Sequence, residues 1–315
     1  MDGHHWRIGV DEAGYGPNLG PLVVAATGWW TTTHADLYET LADVVTAKAT
    51  RGDNRFLIAD SKVVYSPGAG LALLERAVYS MYGHVSTWQG LVGSLGADPH
   101  NAMSMIAWHE SFNPQLPLDA ELADIQAVRR VVETSCLANG SGATPLAARM
   151  VHPEEFNRLV AEYGTKGAAL SHISVGLARR LYDECLADRD EPVAFTFDKH
   201  GGRNRYGALL QEHFPEGWIE TRDEARAASH YRQGDRLSFT FRTKGEAELP
   251  VALASMTAKL LRELSMKAFN DYWATHVPGI KPTAGYPLDA KRFKAEIAAK
   301  QAELGIEDAV LWRNR

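Results

Sequence analysis

Asp11 and Glu12 are adjacent carboxylates, preceded by the apolar run 7–10 and followed within five residues by Gly14, Gly16 and Pro17. Side chains alternate along a strand, so the pair serves one ion only where the strand ends or twists. The glycines supply such a turn and let a ligand backbone approach the main chain closely. Asp198 repeats the arrangement: the β-branched and aromatic run 193–197 delivers it, and Lys199-His200-Gly201-Gly202 follows. Glu263 lies in a helical pattern beside Leu253, Met256, Leu260, Leu261 and Leu264, from which a carboxylate reaches inward at one edge. Acidic oxygens without a Cys/His cluster select a hard ion, magnesium or manganese, over zinc. Taken singly, each group has a plainer role: a surface acid pair at 11–12, a turn or cap at 198, a solvated helix position at 263.

The elements that must position these groups follow from periodicity. Residues 7–10 and 22–27 read as a hairpin with the carboxylates at the end of its first strand. Residues 35–49 have helical spacing and 56–59 form a short strand running into Asp60-Ser61-Lys62. The stretch 66–147 reads as mainly helical, with helices at 69–82 and 118–138, a loop at 98–117 and a linker at Asn139-Gly140-Ser141-Gly142. Beyond it come a strand at 148–152, helices at 153–163 and 168–185, strands at 193–197, 218–221 and 236–243, a long helix at 249–275 and a last one at 288–304. Strands alternating with and covered by helices predict an α/β layered fold.

The composition bounds the function classes. With 315 residues, 45% hydrophobic and 23% charged, the chain is neither disordered nor fibrous. No window reaches the roughly 18 apolar residues of a membrane span, and residues 1–9 lack an apolar signal core. Two cysteines, Cys136 and Cys185, make no disulfide framework; both are expected to be reduced, and the protein cytoplasmic. The net charge of −6 means that a nucleic-acid partner must be held by a local basic groove.

Gly9-Val10-Asp11-Glu12-Ala13-Gly14-Tyr15-Gly16-Pro17, followed by Leu19-Gly20-Pro21-Leu22-Val23-Val24-Ala25-Ala26, resembles the opening of the type 2 ribonuclease H family, ribonucleases HII and HIII. Asp60-Ser61-Lys62, His152-Pro153-Glu154-Glu155-Phe156, Phe197-Asp198, Ala254-Ser255-Met256-Thr257-Ala258-Lys259-Leu260-Leu261-Arg262-Glu263 and Gly285-Tyr286-Pro287 resemble that family's later landmarks, in order. The resemblance covers 7–65 and roughly 148–297. It implies a ribonuclease H-like mixed sheet flanked by helices, a catalytic domain formed by 1–65 and 148–315, and a mainly helical insertion at 66–147. Three departures stand out: Tyr15 replaces the arginine of the Gly-Arg-Gly turn, Glu263 replaces an aspartate, and 66–147 has no counterpart.

The resemblance further implies a metal-dependent endonuclease cleaving the RNA strand of RNA–DNA hybrids, or ribonucleotides embedded in duplex DNA. Asp11, Glu12, Asp198 and Glu263 would bind two magnesium or manganese ions about 4 Å apart. Main-chain groups of Gly14, Tyr15 and Gly16 would meet the 2′-hydroxyl, Tyr286 would stack on the following sugar, and Lys62 and Lys259 would hold phosphates. Arg203 and Arg205 are read as solvated rather than as part of the phosphate track. The alternatives are a non-catalytic nucleic-acid-binding relative and a different metal-dependent nuclease on the same scaffold. Within 66–147, Arg76, Arg129 and Arg130 face seven carboxylates, so that stretch is expected to be ordered and to serve a homodimer or protein partner, or to wall the groove, rather than to bind phosphate.

Overall fold

In the computed structural model, which describes residues 4–66 and 68–314, seven strands form one sheet in the order β5-β2-β1-β6-β9-β8-β7. These are β1 (His5–Ala13), β2 (Leu22–Thr31), β5 (Ser141–Val151), β6 (Val193–Asp198), β7 (Ile219–Glu224), β8 (Ala228–Gln233) and β9 (Leu237–Arg242), while β3 (Val45–Thr46) and β4 (Phe56–Leu57) pair with each other. The sheet is mixed. β5, β2 and β1 run antiparallel in succession, β1, β6 and β9 are parallel, and β9, β8 and β7 return as an antiparallel meander.

Alternation along the strands divides the core into two layers. Trp6, Ile8 and Val10 of β1 pack with Phe195, Phe197, Phe239 and Phe241 against α8 (Lys166–Cys185), preceded by α7 (Pro153–Tyr163), and α9 (Gly207–His213). On the other face Ala13, Ala25 and Trp29 meet α10 (Leu249–His276). At 1.5 Å per residue α10 is about 42 Å long, and its first half is buried on every side. It lies hard against β1 because residue 9 is glycine: a Cβ there would fall 2.2 Å from the Pro250 carbonyl carbon. The Thr27 hydroxyl fixes the same turn by donating to the Pro250 carbonyl at 2.6 Å.

The short helices α1 (Leu37–Thr40) and α2 (Ser61–Val64) precede α3 (Ala72–Tyr82), α4 (Trp88–Ser94), α5 (Ala107–Glu110) and α6 (Leu122–Ala138). Helices α3, α4 and α6 share one core with β2, β5 and α10 through Leu74, Val78, Trp88, Leu91, Ile125 and Val132. Glu75 is fully buried there and accepts the backbone N–H groups of Leu118, Asp119 and Ala120 at 2.5–2.9 Å. The chain closes with α11 (Pro287–Glu303) and α12 (Asp308–Leu311). Among the described residues no helix is long and apolar enough to cross a membrane.

Several expectations need correction. The helix expected over 35–49 is only Leu37–Thr40, since the β-branched Val45 and Thr46 pair with Phe56 and Leu57 as strands. Residues 141–147 belong to strand β5, paired with β2, so Asn139-Gly140 is a tight turn rather than part of a linker. The loop expected at 98–117 holds a 3-10 turn (Ala102–Met105) and α5. Strand β8 escaped notice because its buried positions include the polar Ser229 and Gln233 beside Tyr231.

Candidate active site

The β1–β6 ladder ends at Val10↔Phe197, whereas β1 continues beside β2 through Ala13. Asp11 and Glu12 thus sit just past the point where their parallel neighbour stops, and Asp198, the last residue of β6, lies beside them. The Glu12 N–H donates to the Asp11 carboxylate at 2.8 Å. Pleat parity turns Asp11 towards α10 and Glu12 towards the opposite layer, so the cluster straddles the open end of the sheet.

Three interactions fix the surroundings of Asp11. Ser255 of α10 hydrogen-bonds its carboxylate, and the Ser255 and Ser61 hydroxyls share a hydrogen bond at 3.0 Å. That contact docks Asp60-Ser61-Lys62, with Asp60 capping α2 by accepting the Lys62 N–H at 3.0 Å. Asp198 is held by the Gly245 N–H at 2.9 Å, a close approach that glycine permits, since a Cβ at 245 would lie 3.1 Å from the Asp198 backbone.

The electrostatics follow from this crowding. Burial, then the charges of Glu12 and Asp198, push the Asp11 carboxyl well above the usual carboxylate range. Burial and Asp198 raise Glu12 to about 7, against an opposing pull from Lys62. Burial works against the charged form of Lys62, yet its ammonium is held up by Asp60, Asp11, Glu246 and Glu12. A carboxylate that sequence reasoning missed stands nearby: Glu246, next to the glycine that holds Asp198, in the 3-10 turn Gly245–Ala247 between β9 and α10. The signal that singled out Asp198, an acid beside glycine after an apolar strand, was present in Lys244-Gly245-Glu246 as well.

Glu263 is not brought to this cluster. It lies eight positions beyond Ser255, about 12 Å along the helix, and its carboxylate accepts from Lys259 Nζ at 2.5 Å and the Tyr65 hydroxyl at 2.8 Å. Lys259 also sits 4.4 Å from the centre of the Tyr65 ring. Both expected roles at 259 and 263 meet the same difficulty, because each residue already neutralises the other.

The Gly14–Gly16 turn stands beside the cluster. Gly14 has φ +86°, and a Cβ on it would collide with the buried Arg262 side chain at 2.3 Å. A second buried arginine, Arg313, donates to the Gly14 carbonyl at 2.6 Å. Burial and the neighbouring Arg262 charge pull Arg313 down to about 9. The guanidinium missing at Tyr15 thus has no surface replacement here; two guanidinium groups support the turn from beneath. Tyr15 is half-buried, its hydroxyl 3.7 Å from a Cβ built on Gly167, and burial and the Glu12 charge raise that hydroxyl. Tyr286 is 58% exposed and reaches the same turn: its ring lies 3.9 Å from a Cβ built on Gly16. Gly285 places it there, accepting the Asn18 N–H at 2.7 Å with φ +82°. Arg203 and Arg205 flank the loop after β6, with Arg205 exposed and 3.7 Å from Glu224.

An all-oxygen donor set in which crowding raises the proton affinity of Asp11 and Glu12 is a fit for divalent cations. The carboxylates do not form a closed chelate: among the described residues, the trio whose ligating atoms lie within 4.8 Å of one another is a different one, His172, Glu212 and His213.

No protein-family model matches the chain, and no curated protein does. Among solved structures, it is similar to ribonuclease H2 from Pyrococcus horikoshii OT3, with 15% identity, TM-score 0.48, and coverage of 97% of this chain and 92% of that one. RNase HII from Archaeoglobus fulgidus, solved in a PCNA:RNase HII complex, gives 15% identity and TM-score 0.45 over 98% and 94%. Bst-RNase HIII in complex with Mn2+ gives 14% and 0.44 over 99% and 67%.

Proposed function

We propose that the chain is a metal-dependent endonuclease of the ribonuclease H type, cutting the RNA strand of RNA–DNA hybrids or ribonucleotides embedded in duplex DNA. The observation that supports this reading is the crowding of Asp11, Glu12 and Asp198 at the open end of the sheet, with Glu246 next to the glycine that holds Asp198 and with Gly14–Gly16 and an exposed Tyr286 alongside. These four carboxylates would hold two Mg2+ or Mn2+ ions, which would supply Lewis-acid stabilisation of phosphoryl oxygens and lower the pKa of an attacking water.

The remaining groups bind and orient. Lys62 extends into solvent beside the acids and offers a phosphate contact. The main chain of Gly14, Tyr15 and Gly16 meets the 2′-hydroxyl, the group that separates RNA from DNA at this position. Tyr286 offers its ring face to the next sugar. Lys259 is a phosphate contact of the second rank, since it must first part from Glu263. Residues 66–138, ahead of strand β5, serve as a groove wall or partner surface.

The test compares a labelled RNA–DNA hybrid, a duplex with a single ribonucleotide and an all-DNA duplex, each with Mg2+ and with Mn2+. Cleavage of either ribonucleotide-containing substrate, with all-DNA duplex left intact, is expected. Equal cleavage of all-DNA duplex would point to another nuclease on the same scaffold, and binding of hybrid without cleavage to a non-catalytic relative.

A further inference from the structure

A second group of ligand-type side chains lies between α8 and α9. His172 projects from α8, while Glu212 and His213 end α9. His213 Nε2 lies 3.3 Å from His172 Nδ1, and His172 Nδ1 lies 3.7 Å from Glu212 Oε1. Two imidazole nitrogens bound at about 2.05 Å to a tetrahedral ion stand about 3.3 Å apart, and a carboxylate oxygen on the same ion stands at a similar or slightly greater distance. Both printed distances match that spacing, and all three ligating atoms lie within 4.8 Å of one another. A hydrogen bond between the two rings accounts for the first distance but gives no reason for the carboxylate to join them.

The rings are held in place from outside the trio. His172 lies flat on Tyr163, with centroids 3.8 Å apart and planes 7° from parallel. His213 Cε1 would touch a Cβ at position 176 at 3.4 Å, so Gly176 leaves room for the ring. Arg179 anchors the end of α9, donating to the His213 carbonyl at 3.2 Å while pairing with Glu216. His172 and His213 line a cleft of about 400 Å³ with Tyr163 and Glu162, so a fourth position on the ion is open to water.

We propose that His172, Glu212 and His213 form a site for a zinc-class divalent ion, separate from the carboxylate cluster, that ties α9 to α8. Two imidazoles and one carboxylate favour a borderline ion over Mg2+, which prefers all-oxygen surroundings. The loop leaving Asp198 ends at α9, and His200 within it is 3.1 Å from the Ser171 hydroxyl of α8, next to His172. The ion would fix α9, which follows that loop, to the helix that His200 contacts.

The test is calorimetric titration of chelator-stripped full-length protein with Zn2+ in excess Mg2+, which competes for carboxylates but poorly for imidazole. The expected result is one Zn2+ per chain, lost in His172→Phe and in His213→Asn and weakened about tenfold or more in Glu212→Gln, with a Zn2+-dependent rise in melting temperature that is largest in the unaltered protein, smaller in Glu212→Gln and absent from the histidine variants. Absence of stoichiometric Zn2+ binding, or equal binding by the variants, overturns the proposal. Glu212 is 63% exposed, so its variant keeps the fold even if a histidine variant does not. X-ray absorption of the unaltered protein with one Zn2+ gives an independent reading: imidazole scattering is expected, and an all-oxygen shell overturns the assignment.

Discussion

Replacing Glu12 by glutamine keeps the side chain's size and removes its charge, which isolates the electrostatic cost of the carboxylate cluster. Burial and the Asp198 charge raise Glu12 from its ordinary 4.5 to about 7, with Lys62 opposing. At about 1.4 kcal/mol per tenfold change in proton affinity, that displacement corresponds to about 3 kcal/mol. The sign follows from proton linkage. Below pH 4.5 the carboxyl is protonated in both the folded and unfolded chain, and its charge costs nothing. Between 4.5 and about 7 the unfolded chain releases the proton while the folded one keeps it, so stability falls as pH rises. Above about 7 the full penalty applies. Urea denaturation in EDTA should therefore find Glu12→Gln more stable than the unaltered protein by about 3 kcal/mol at pH 8, with the difference vanishing near pH 4. Added Mg2+ should stabilise the unaltered protein more than the variant and narrow the gap at pH 8. A Glu12→Gln variant no more stable at pH 8 than the unaltered protein, or a difference that does not change between pH 4 and 8, would refute the crowded-carboxylate account.

Glu246→Gln should lower hybrid cleavage about a hundredfold or more at fixed Mg2+, whereas Glu263→Gln should change it less than about tenfold; steady-state rates over a Mg2+ series check both. Gly9→Ala should cost about 3 kcal/mol or more, because the new methyl meets Pro250 backbone at 2.2 Å and α10 cannot back away without opening the core; chemical denaturation measures this. Glu75→Ala should destabilise by about 3 kcal/mol, leaving three part-buried N–H groups without their acceptor, and hydrogen exchange at Leu118, Asp119 and Ala120 should accelerate before the rest of the chain.

Much of the scaffold could be read from periodicity, because long segments with one apolar face leave little ambiguity. The pattern at 153–163 gave α7 to the residue, and the apolar run ending at Asp198 gave β6. Where short range and tertiary pairing compete, the sequence misleads: Val45 and Thr46 read as helical because their partners, Phe56 and Leu57, are eleven residues away and pairing is not visible in a local pattern. The placement of Asp11, Glu12 and Asp198 at apolar strand ends was legible for the same reason that β1 and β6 were. Glu246 was not, since its nearness to Lys62 depends on how the turn after β9 folds back over Asp198. Glu263 shows the opposite failure: helical phase told which side of α10 it occupies but not how far along the axis it sits from Ser255. Arg313 left no signal at all, because its partner, the Gly14 carbonyl, is 299 positions away.

The arrangement of ions decides the central claim most directly. Crystals grown metal-free and soaked in Mn2+ should show two anomalous peaks about 4 Å apart, within ligand distance of Asp11, Glu12, Asp198 and Glu246. Peaks at Glu263 and Lys259 instead, or no Mn2+ at the open end of the sheet while the carboxylates there remain ordered, would contradict it.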